Sequence, residues 1–71
     1  MTLDEHIGKR LEALRRSRNL SVKAVSAAIR VDAEDYKHFE EGKVRISSEK
    51  LCDLSDYFAE PLVYFFQSFD G

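Results

Sequence analysis

The sequence predicts an all-α domain, a compact assembly of five short helices. Three observations carry this. Apolar residues recur at steps of three and four. Residues of N-cap type stand just ahead of most of these runs. The few helix breakers fall between runs. At 71 residues the chain has room for one domain, spanning 1–71. A domain of that size buries only about 60% of the surface that it exposes unfolded, so a deep catalytic cleft beside the core is not expected.

Thr2 and Glu5 have the spacing of a capping box and open the first helix. Leu3, Ile7, Leu11 and Leu14 follow at steps of four, four and three, on one helical face. Arg10, Arg15, Arg16 and Arg18 gather toward its end, where cations suit the helix dipole, and the helix is expected to stop near 17–19. Ser21 is the N-cap candidate of a second helix with the apolar stripe Ala24, Val25, Ala28 and Ile29. Asp32 is the next cap candidate, with Glu34 and Asp35 in the first turn. Tyr36 and Phe39 supply the buried side of this third helix, and Gly42 stops it. Ser47 or Ser48 starts a fourth helix with Leu51, Cys52, Leu54, Tyr57 and Phe58 as apolar positions, which assigns Cys52 to the core. Pro61 suits the first turn of a short fifth helix, about 61–67, carrying Leu62, Val63, Tyr64, Phe65 and Phe66.

One short helix cannot bury apolar residues on every side. Part of this last cluster is expected to cover the first and fourth helices and part to stay exposed. An exposed aromatic patch marks an interface, and a symmetric dimer is the default for a small domain. Tyr64, Phe65, Phe66 and Phe69 are therefore the candidate homodimer residues.

Composition limits the function classes. Cys52 is the one cysteine, so no internal disulfide forms and a reducing cytoplasm fits. The longest apolar stretch, Leu62 to Phe66, is five residues, against about 20 for a membrane span. The first residues lack the basic and apolar regions of a signal peptide. His6 and His38 have no metal-ligand spacing, and there is no nucleophile constellation or glycine-rich phosphate loop. No enzyme activity, metal or cofactor is expected. The net charge is −2, but it is unevenly spread. Residues 1–31 hold seven Lys/Arg and three Asp/Glu, or +4, and residues 32–71 hold four Lys/Arg and ten Asp/Glu, or −6.

The second and third helices are the informative pair. About nine residues of helix, a tight turn through Arg30, Val31 and Asp32, and about nine more of helix have helix-turn-helix spacing, over about 21–40. Any α-hairpin gives a similar pattern, so spacing alone leaves a plain helical bundle open.

The order of motifs is more specific. Ile7-Gly8-Lys9-Arg10-Leu11 through Leu14-Arg15, then Leu20-Ser21, then Phe39-Glu40-Glu41-Gly42-Lys43 resembles the Cro/cI-type (XRE-like, lambda-repressor-like) helix-turn-helix regulators. Arg45-Ile46-Ser47-Ser48 with Leu51, then Glu60 through Phe66, is similar to a branch of that family known from α-proteobacterial regulators. The resemblance covers about residues 5–67. It implies a five-helix domain, often dimeric, that sets its third helix into the major groove of double-stranded DNA. Carried over by position, Ala33, Glu34, Lys37 and His38 face bases. Ser21, Val22, Lys23, Lys43 and Arg45 face the backbone, and the amides at the start of the second helix meet a phosphate.

Four departures bear on that reading. Val22 stands where the family usually has Gln. Arg30 replaces a turn glycine, which is a cost if the turn is left-handed, although Arg30 also reaches for a phosphate. Tyr36 replaces a small aliphatic on the buried face and is expected to send its hydroxyl outward. Glu34-Asp35 replaces a Gln pair. With Asp32, Glu40 and Glu41, these give the candidate recognition helix five acids against Lys37. Carboxylates near the groove repel phosphates, although Glu34 has a use there, since a carboxylate accepts from cytosine N4. The sequence thus supports a sequence-specific, homodimeric DNA-binding transcription regulator of bacterial or phage type. The alternative is a protein-interaction module whose acidic third helix binds another regulator or the transcription machinery.

Overall fold

The computed structural model describes residues 1–69. Four α-helices follow one another: α1 Leu3–Ser17, α2 Val22–Ala28, α3 Ala33–Glu41 and α4 Ser48–Phe58. A 3-10 turn, Leu62–Phe66, comes after them. The fold is therefore all-α with four helices rather than five. The expected fifth α-helix is too short to offset the unfavourable start of an α-helix. Pro61 leads into the turn in extended backbone, and the Tyr64 N–H donates to the Pro61 carbonyl at 2.9 Å, the tighter 3-10 pattern.

The caps follow the sequence closely. The Glu5 N–H donates to the Thr2 hydroxyl at 3.1 Å, and the Thr2 N–H to the Glu5 carboxylate at 2.9 Å. The Thr2 N–H, and then the Thr2 hydroxyl donating at 3.2 Å, hold the Glu5 carboxyl below its usual range. The Ser21 hydroxyl accepts from the Ala24 N–H at 3.0 Å, and the Ser47 hydroxyl from the Lys50 N–H at 3.2 Å. Asp32 occupies the cap position of α3 without a side-chain bond to it. Arg30 ends the α2 turn in the left-handed region at φ 62°, which costs a residue with a Cβ about 1 kcal/mol relative to glycine.

The core runs through every element: Ile7, Leu11 and Leu14 of α1, Val25 of α2 and Ile29 just after it, Tyr36 of α3, Leu51, Leu54 and Phe58 of α4, and Phe65 of the 3-10 turn. Two expectations change here. Cys52 is exposed and outside the core, because Leu51, Leu54 and Phe58 at steps of three and four define the buried face of α4. Tyr36 is fully buried, hydroxyl included, and that hydroxyl has no hydrogen-bond partner among the described residues. Burial, and then the nearby Glu40 carboxylate, push its phenol well above the ordinary tyrosine range.

The two internal glycines explain how α1 meets α3. A Cβ on Gly8 would lie 2.5 Å from the Phe39 carbonyl oxygen and 2.8 Å from the Glu40 carbonyl carbon. Gly42 ends α3 at φ 72°, and a Cβ there would lie 2.6 Å from the Glu5 Cα. Glycine at both positions lets the C-terminal end of α3 rest directly on the first half of α1.

The split of charge along the chain has a structural use. Cations of the basic half fasten elements of the acidic half. Arg15 of α1 forms a two-point pair with Glu40 of α3, at 2.7 and 3.1 Å, and also donates to the Leu20 carbonyl at 3.0 Å. Arg18 donates to the Phe58 carbonyl at the end of α4, lies over the Phe58 ring and is 3.5 Å from Glu60. Arg10 and His6 both contact the Gln67 carbonyl, at 2.9 and 2.7 Å. Arg10 also lies over the Tyr64 ring, and His6 packs against Phe69 in a tilted contact, so α1 holds the middle of the 3-10 turn and the residues that follow it. In the other direction, Lys50 of α4 donates to the Ile29 carbonyl at the C-terminal end of α2, at 2.8 Å.

Candidate nucleic-acid interface

The start of α2, the outer face of α3 and the residues after α3 surround one shallow concavity. It is lined by Val22, Lys23, Ala33, Glu34, Lys37, His38, Glu41 and Lys43. Seven sequence-selected positions meet there: Val22, Lys23, Ala33, Glu34, Lys37, His38 and Lys43. They converge because the Arg30–Asp32 turn sets the two helix starts side by side. Ala33, Lys37 and Glu41 then repeat every four residues along α3, with Glu34 and His38 in the neighbouring row.

The other selected positions lie apart from this lining. Ser21 is exposed at the cap of α2, its hydroxyl engaged by the Ala24 N–H, so one amide of that helix start is already satisfied. Arg30 lines a different concavity, with Glu49, Lys50, Asp53, Asp56 and Tyr57 around the end of α2 and the face of α4. The left-handed turn carries its side chain there and away from Lys23 and Lys37. Arg45 is 77% exposed and 3.2 Å from Asp4 of α1. An exposed pair of this kind contributes little and exchanges readily.

The electrostatics are milder than the sequence implied. Glu40, counted among five acids of the recognition helix, points inward. Its side chain is only 7% exposed and is clamped by Arg15. Glu41 lies 3.3 Å from Lys43. Lys23, Lys37 and Glu34 belong to no ion pair among the described residues, and three lysines face two glutamates across the concavity. Val22 is half-buried and packs against the core. It trades the polar reach of a glutamine for apolar contact.

The C-terminal patch divides as expected, though not along the expected residues. Phe65 is fully buried and plugs the core, so its side chain is not available to a partner. Tyr64 and Phe69 are half-buried against Arg10 and His6. Leu62, Val63 and Phe66 remain on the outside, at 41%, 58% and 41% exposure.

Sequence reasoning missed Arg15 and Glu40 as partners, because the two are 25 positions apart and each reads as a surface charge. The available signal was that both lie inside the family motifs, Leu14-Arg15 and Phe39-Glu40. Among the described residues no cluster of three or more His, Cys, Asp or Glu has metal-binding geometry. No described helix is long and apolar enough to cross a membrane.

The fold and this interface define a helix-turn-helix protein. Residues 8–70 match the family model described as a helix-turn-helix domain. The chain belongs to this helix-turn-helix family, of the Cro/cI (XRE-like) type, a family of transcription regulators rather than enzymes. It is 29% identical over 68 residues to an uncharacterized transcriptional regulator in the ATPase CF(0) region of Rhodospirillum rubrum. That match takes in 96% of this chain but only 63% of the relative. Among solved structures, the clp gene regulator ClgR from Corynebacterium glutamicum superposes with a TM-score of 0.88 at 21% identity, covering 93% of this chain and 70% of that one. The restriction-modification controller protein C.AhdI from Aeromonas hydrophila superposes with a TM-score of 0.82 at 21% identity, covering 87% and 94%. Both share the fold.

Proposed function

We propose that this chain is a sequence-specific DNA-binding transcription regulator that acts as a homodimer. The observation that carries the reading is the shared concavity: Lys23, Lys37 and Lys43 converge on the exposed face of α3 together with Ala33, Glu34 and His38. In this reading α3 enters the major groove. Lys23 and Lys43 neutralise phosphates on either side of it, with Ser21 and Arg45 at the edges, and the α3 side chains meet base edges. The inward turn of Glu40 supports it twice, since it removes a carboxylate from the DNA face and an acid from the surface that a protein partner would use.

Most of the affinity of such an interface comes from counterion release. Titration of the chain with duplex DNA should therefore show affinity falling steeply as salt rises. Lys43→Ala should weaken all sequences alike and flatten the log–log salt slope by about one unit. No binding to any duplex at low salt would overturn the reading.

The outward apolar side chains Leu62, Val63 and Phe66 supply the two-fold contact. Sedimentation should give a dimer for the native chain and a monomer for Phe66→Glu. A native chain that remains monomeric at high concentration contradicts the dimer.

A further inference from the structure

Resting on the DNA-binding reading above, we propose that Glu34 selects a cytosine and Lys37 a guanine at neighbouring positions of the recognised half-site. Both side chains line the concavity from α3, one helical turn apart. Both residues are exposed, and neither is held by an ion pair among the described residues.

The assignment follows from donors and acceptors. An ionised carboxylate offers acceptors only. Phosphate oxygens repel it, so a glutamate on this face is tolerated where a base edge presents a donor. Two amino groups in the major groove do so, cytosine N4 and adenine N6. Adenine sets the acceptor N7 beside its amino group, where it opposes the second carboxylate oxygen, and cytosine does not. Glu34 therefore favours cytosine. The Lys37 ammonium has the inverse inventory, three donors and no acceptor. Guanine, with N7 and O6 both accepting, is its complement. The face thus pairs a charge that repels the backbone with one that is drawn to it. The repelled charge makes the choice of base depend on Glu34 rather than on phosphate attraction.

The test is selection from a pool of random duplexes at low salt, using the 71-residue chain and the variants Glu34→Gln, Glu34→Ala and Lys37→Ala. Thermal melting of each variant checks folding, which these exposed positions should leave unchanged. The native chain is expected to enrich a motif with a fixed cytosine. Glu34→Gln should change that position to adenine, because an amide carries the donor and acceptor that match N6 and N7, with discrimination of roughly 5- to 100-fold. Glu34→Ala should lose the preference there and keep it elsewhere. Lys37→Ala should lose a guanine.

A motif unchanged by both Glu34 variants overturns the assignment while leaving DNA binding standing. Uniform weakening by Lys37→Ala makes Lys37 a phosphate contact and overturns its half of the proposal. No enriched motif for the native chain overturns both this inference and the function on which it rests.

Discussion

Gly8→Ala is expected to lower the stability of this domain by about 3 kcal/mol or more, the upper part of the range for overpacking a tight contact. The added methyl would be driven into the backbone of α3 at Phe39 and Glu40 rather than into a movable side chain. Relief then requires α3 to lift away from α1. Those helices share the Arg15–Glu40 pair, and Glu5 of α1 seats Gly42 at the end of α3. A domain of this length has on the order of 4–11 kcal/mol of stability in all. For its size each kcal/mol moves the melting midpoint by roughly 4–8 °C, so a fall of well over 10 °C is the expected calorimetric result. Alanine at the exposed Ser17 of the same helix should move the midpoint by a few degrees at most, since it adds no atom and only a local bond to the Leu14 carbonyl is lost. An unchanged midpoint for Gly8→Ala would mean that α1 and α3 do not touch here.

What was legible in the sequence was local. Caps at Thr2 and Ser21, the left-handed stop at Gly42 and the buried stripe of α1 each depend on residues within one or two turns of each other. The positions chosen on α3 come from the family resemblance, and helix periodicity explains why Ala33 and Lys37 among them share one face with Glu41. What the sequence hid was the destination of long polar side chains. Arg10, Arg15 and Arg18 read as a basic end of α1, yet each is used to fasten another element. Long cations reach so far that their partners are set by tertiary geometry and not by spacing. Arg30 lies in the concavity beside α4 for a related reason, since its left-handed backbone redirects the side chain. Cys52 and Phe65 were misread because a dense apolar run does not say which of its members faces inward.

Glu40→Ala carries the second large effect, and it links the core to the proposed DNA face. The Arg15 and Glu40 side chains are 13% and 7% exposed, and two parallel hydrogen bonds join them. Glu40 holds the Arg15 guanidinium firmly charged. Removing one partner therefore strands a buried cation instead of neutralising it. The pair lines an open hollow between α1 and α3, so water reaches part of it, and the expected loss is about 3 kcal/mol, the low end for a buried pair. Arg15→Ala should cost a similar amount. The double variant should cost clearly less than the two losses added, because each single change already removes the shared interaction. Salt of about 1 M should leave the Glu40 effect nearly intact, whereas an effect at the exposed Arg16–Glu12 pair should vanish. Glu40 lies on α3 directly before Glu41 and one turn beyond Lys37, so its clamp also fixes the direction in which the proposed recognition face points. DNA affinity of Glu40→Ala should then fall even at temperatures where the domain remains folded. Urea melts for the four proteins of the cycle, with duplex titrations on the folded variants, separate the two roles. Additive losses would reduce the pair to two independent surface charges.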